Sequence, residues 1–111
     1  MFVGFFSSME IEMLESDFKK YFIDSIKARF AAFDLDFINT KPHNRSIPDL
    51  IILGPNVWAA LEFKKSKRAK RQPNQKYHVD RMNGKGFARF VYPSNASEVL
   101  HDLERLFISE W

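Results

Sequence analysis

The sequence has no cysteine, so neither a disulfide framework nor a thiolate zinc site organises its fold. Its four glycines do not form a Gly-rich phosphate loop, and no serine sits in a nucleophile elbow. The three histidines, His43, His78 and His101, lie far apart and not at helix-ligand spacing. They read as bystanders, with His78 the best placed for a phosphate contact. The apolar stretch Met1–Phe6 is too short for a membrane span and lacks the basic segment of a signal peptide. A soluble cytoplasmic protein is expected. No repeat, linker, low-complexity segment, recognition helix or zinc finger is evident.

What is present fits one compact unit. A length of 111 residues suggests a single domain spanning 1–111, able to bury roughly two-thirds of its unfolded surface. Apolar residues make up 45% of the chain, and twelve phenylalanines are many for this size. Either the core is rich in rings or part of the surface is covered by a partner, and a homodimer is expected on the second count. A net charge of +3 mildly favours a polyanionic partner.

The chain is organised around Pro48–Lys64. Two apolar runs, Leu50–Leu53 and Val57–Phe63, flank Gly54-Pro55-Asn56, which reads as the turn of a β-hairpin. A turn centred between Pro55 and Asn56 puts Asp49 opposite Glu62. Alternation places Trp58, Ala60, Glu62 and Lys64 on one face, and Val57, Ala59, Leu61 and Phe63 on the other. Facing carboxylates repel. A buried pair of them beside an ammonium makes sense if a divalent cation sits between the acids. The plain alternative makes Asp49 a strand-entry residue and Glu62–Lys64 a surface pair of little energetic weight.

Upstream, Ser7 and Glu10 have capping-box spacing, and Ile11, Leu14, Phe18, Phe22, Ile26 and Phe30 predict an amphipathic helix to about Phe33. Glu15 borders its apolar stripe, and on pattern alone it is equally an ordinary N-terminal helix acid. Asp36–Thr40 predicts a short first strand. The polar loop Lys41–Ser46 follows, with Arg45 and Ser46 within reach of a phosphate or simply loop residues.

Downstream of the hairpin, six of the eight positions Lys64–Arg71 are cationic. Such runs are usually solvated and mobile. Here Lys65, Lys67, Arg68, Lys70 and Arg71 adjoin the acid pair, which suits a clamp on a nucleic-acid backbone. Pro73 opens a second helix whose stripe is Gln75, Val79 and Met82. Gln75 is either a capping amide or a polar group aimed at the site. Phe87–Tyr92 predicts a strand parallel to Val57–Phe63 through a right-handed crossover. Asn95, with Glu98 three residues on, is expected to cap a last helix covering the sheet through Val99, Leu100, Leu103, Leu106 and Phe107.

Pro48-Asp49 followed by Glu62-Phe63-Lys64 resembles the PD-(D/E)XK nuclease signature. The stretch from Glu15 to Pro93 is similar to the VRR-NUC branch, including its stand-alone phage members. The upstream helix, the hairpin and a glutamine-bearing helix follow in that family's order. The resemblance implies an α/β, restriction-endonuclease-like αβββαβα core with a mixed central sheet and helices on both faces. It implies a Mg²⁺ ion, with Mn²⁺ able to substitute, held by Asp49, Glu62 and the carbonyl of Phe63. Lys64 would orient the attacking water, Glu15 would help hold metal or water, and Gln75 would stand near the site. The implied activity is hydrolysis of DNA, on branched substrates or Holliday junctions, by a homodimer in the host cytoplasm. A general nicking nuclease or exonuclease, or a non-catalytic nucleic-acid-binding module, are the alternatives.

Overall fold

A computed structural model describes residues 15–40, 47–68 and 73–109. The described elements run α1 (Glu15–Arg29), β1 (Asp36–Asn39), β2 (Leu50–Leu53), β3 (Trp58–Phe63), α2 (Pro73–Lys85), β4 (Phe87–Val91), a 3₁₀ turn (Pro93–Asn95) and α3 (Ala96–Ser109). The strands form one mixed sheet in the order β1-β2-β3-β4, antiparallel except for the parallel β3–β4 pair. This is the predicted αβββαβα arrangement, with the expected crossover from β3 through α2 to β4.

Helices cover both faces. On one, Phe18, Phe22 and Ile26 of α1 and Val99, Leu103 and Phe107 of α3 pack against Leu50, Ile52, Ala59, Leu61, Phe63, Phe87 and Val91. The spacing of Phe18, Phe22 and Ile26 is one helical turn each, so a single stripe enters the core. Phe63 stands edge-on to Phe18 and Phe22, at centroid distances of 6.0 and 5.5 Å. The core is therefore rich in rings, the first of the two expectations for the phenylalanines. On the other face α2 lays Val79 over Ala60 and Ala88, with Ile51, Trp58, Met82 and Phe90 around them. Gly86 makes this close approach possible: a Cβ there would come within 2.4 Å of the Trp58 indole.

Two predicted features differ. Helix α1 stops at Arg29 instead of Phe33, because the chain tightens into a turn closed by Phe33 N–H donating to the Phe30 carbonyl at 2.9 Å. Phe30 and Phe33 still meet edge-on, so their apolar spacing continued while the helix did not. Asn95 does not cap α3. Its side chain turns back, accepting from the Tyr92 N–H at 2.7 Å and donating to the Phe90 carbonyl at 3.0 Å. The 3₁₀ turn starts the helix instead. The N-terminal capping pair Ser7–Glu10 lies outside the described residues.

Those Asn95 bonds have a counterpart at the other end of β4. Asn83 accepts from the Ala88 N–H at 3.1 Å, while Arg89 donates to the Ala88 carbonyl at 2.9 Å and to Asn83. Side chains thus take up polar groups along the outer edge of β4, a standard defence against unwanted strand addition.

Candidate active site

The two-residue turn Pro55–Asn56 is closed by Gly54 N–H donating to the Val57 carbonyl at 2.8 Å. From it the β2–β3 register runs Leu53↔Trp58 to Leu50↔Leu61. One further step sets Asp49 against Glu62. Burial of Ala59, Leu61 and Phe63 on the α1/α3 face forces Glu62 to the α2 face, because successive strand residues point oppositely.

Among the described residues the buried polar or charged side chains are Asp49, Glu62, Lys64 and Gln75, exposed by 5%, 2%, 7% and 5%. All four meet at one place, linked through Glu62. Glu62 Oε1 accepts from the Asp49 N–H at 3.1 Å, and Asp49 Oδ2 accepts from the Phe63 N–H at 3.0 Å. Each acid therefore grips the other's strand by a charge-assisted bond, which offsets their mutual repulsion. Gln75, in the first turn of α2, donates its amide to Glu62 Oε2 at 2.9 Å. Its amide group thus faces the acid pair. Lys64 Nζ lies 3.8 Å from the same oxygen. No buried side-chain nitrogen or oxygen among the described residues lacks a hydrogen-bond partner.

The cationic run divides. Lys64 is buried within the cluster, while Lys65, Lys67 and Arg68 are exposed beyond the end of β3. Lys70 and Arg71 lie outside the described residues, as do His43, Arg45 and Ser46. The backbone of Glu15 begins α1, but its side chain lies outside the described set. His101 is exposed beside Glu104, and His78 stacks edge-on with Tyr77 at 5.3 Å.

A hard divalent cation fits this donor set. Mg²⁺ is commonly held by one or two carboxylates and keeps several waters. Among the described residues no group of three or more His, Cys, Asp or Glu converges, so Asp49 and Glu62 are the acids available. The carbonyl of Phe63 is a further oxygen at the same spot. Continuing the register puts Pro48 opposite Phe63, and proline has no N–H to donate to it.

Thr40 escaped the sequence reading. Its hydroxyl donates to the Pro48 carbonyl at 2.6 Å and its N–H to the Asp49 carbonyl at 2.9 Å. Only the β1–β2 register reveals this, and the long connection between those strands carries no turn signal that would set it.

No family model and no curated protein matches the sequence. A solved structure described as a VRR_NUC domain superposes with a TM-score of 0.54 at 20% identity, over 74% of this chain and 92% of that one. The likeness establishes the fold: a restriction-endonuclease-like α/β core of the VRR_NUC kind.

Proposed function

From a fold shared with a VRR_NUC domain, we propose that the protein is a divalent-metal-dependent DNA endonuclease of the PD-(D/E)XK type. The supporting observation is the convergence of Asp49, Glu62, Lys64 and Gln75, four buried polar side chains gathered where the end of β3 meets α2. Burying two carboxylates and an ammonium carries a desolvation cost, and a functional role accounts for keeping them there.

Asp49, Glu62 and the Phe63 carbonyl are the groups to hold Mg²⁺ or Mn²⁺, which would polarise the phosphodiester and lower the pKa of a bound water. Lys64 Nζ stands 3.8 Å from Glu62 Oε2, where it would orient the attacking water and offset charge building on the phosphate. Gln75 fixes the Glu62 carboxylate through Oε2, so that this oxygen does not rotate away. Glu15 is the residue to complete the site from the start of α1. Exposed Lys65, Lys67 and Arg68, continued by Lys70 and Arg71, neutralise phosphates flanking the cut. Such contacts position a duplex without reading bases. The finer proposal is recognition by shape, with branched DNA as the substrate, nicked in pairs by a homodimer.

The test is incubation of the pure protein with four-way, flapped, linear and single-stranded DNA, with Mg²⁺ or with chelator. Metal-dependent cutting concentrated at the four-way junction is expected. Equal cutting of all substrates would leave a nuclease without junction preference. Binding with no cleavage under any metal would reduce the protein to a nucleic-acid-binding module.

A further inference from the structure

We infer that Thr40 is the positioning residue for Asp49, acting by taking the Pro48 carbonyl away from β3. The inference rests on the nuclease reading only for what Asp49 does; the bonding stands without it. Gly54 N–H donates to the Val57 carbonyl, which marks 54/57 as a hydrogen-bonded pair. Alternation then makes 52/59, 50/61 and 48/63 the other pairs that exchange ladder bonds. At the last of these an unbroken ladder would run Phe63 N–H to the Pro48 carbonyl, and an N–H of residue 48 to the Phe63 carbonyl.

Neither ladder bond is made. Pro48 has no N–H, and its carbonyl accepts the Thr40 hydroxyl at 2.6 Å. The Phe63 N–H is thereby left to Asp49 Oδ2, at 3.0 Å. Thr40 adds a second tie through its own N–H to the Asp49 carbonyl at 2.9 Å. Pro48 is fully buried, so a carbonyl released by Thr40 needs a new donor. The Phe63 N–H is the donor the register offers. Loss of the hydroxyl therefore restores a ladder bond and takes the Phe63 N–H from Asp49 Oδ2. Thr40 touches neither carboxylate, and its effect on them is indirect.

The experiment compares wild type with Thr40→Val, which deletes the hydroxyl and keeps the N–H, and Thr40→Ser, which keeps both. Mn²⁺ affinity is read by calorimetry, and the Phe63 amide proton by NMR. Thr40→Val should lose Mn²⁺ affinity by about ten- to hundredfold, the range for partners that orient a metal's ligands. The Phe63 resonance should move as its acceptor changes from carboxylate to amide carbonyl. Thr40→Ser should restore both. Thr40→Ala carries the same expectation if the valine variant does not fold. A Thr40→Val protein with unchanged Mn²⁺ affinity and an unmoved Phe63 resonance would overturn the inference, even if its melting temperature had fallen. Wild type that neither binds Mn²⁺ nor cuts DNA would instead defeat the nuclease reading, and the Phe63 resonance would still decide the role of Thr40.

Discussion

The two faces of the sheet are built to opposite ends from the same strands. On the α1/α3 side β3 presents Ala59, Leu61 and Phe63, and edge-to-face rings fill the space up to the helices. On the α2 side the next residues along are Trp58, Ala60 and Glu62, and the apolar contact gives way to Asp49, Lys64 and Gln75 toward the end of the strand. The apolar face determines the polar one. A shift of one residue in β3 would carry Glu62 into the rings and Phe63 to the polar side, so the packing of Phe63 holds the acid in place. Stability and proposed chemistry sit back to back on one strand, a side chain apart.

The comparison can be broken on the polar face first. Glu62→Gln keeps the shape and an acceptor but removes the charge, and cleavage should fall by at least about a hundredfold, as when a charge-stabilising group is lost from an active site. Its denaturation midpoint should fall by less than that of Glu62→Ala, since one of the two bonds Glu62 accepts keeps its acceptor. Glu62→Ala should lose activity equally and also remove the acceptor of the Asp49 N–H and of the Gln75 amide, at about 1–3 kcal/mol of stability. A quenched-substrate assay with urea titration separates the two variants.

On the apolar face Phe63→Ala should cost about 3–5 kcal/mol, since the ring is fully buried. Activity at a temperature where the variant remains folded should fall as well, because the neighbouring acid loses its anchor. Gly86→Ala probes the seam between α2 and β4, where the new methyl meets the Trp58 ring. Overpacking of this kind costs about 1–3 kcal/mol by thermal melting. The smallest effect on stability, within about 0.5 kcal/mol, is expected for Lys65, Lys67 and Arg68 changed together to glutamine. Their effect is on DNA: for every phosphate that is no longer neutralised, the salt slope of binding should shrink by about 0.9. An unchanged slope would remove these side chains from the interface.

Much of this layout is legible in the residues. Gly54-Pro55-Asn56 sets a two-residue turn, and a hairpin with a defined turn has a defined register, so Asp49 opposite Glu62 can be read directly. Alternation then assigns the faces, and the α2 stripe delivers Gln75 to the polar one. What escapes does so for physical reasons. The connection from β1 to β2 is long, so nothing local tells Thr40 that it will pair with Asp49. Apolar spacing at Phe30 and Phe33 is the same whether the last turn is α-helical or tighter. Asn95 has the composition of a cap, but the end of β4 offers its side chain two backbone groups, and they win.

The central claim is that Asp49 and Glu62 serve one cation, and calorimetric titration with Mn²⁺ tests it most directly. Wild type should bind Mn²⁺ at this site, and Asp49→Asn and Glu62→Gln should each abolish that binding while remaining folded. Mn²⁺ binding of wild-type affinity in either variant would contradict it.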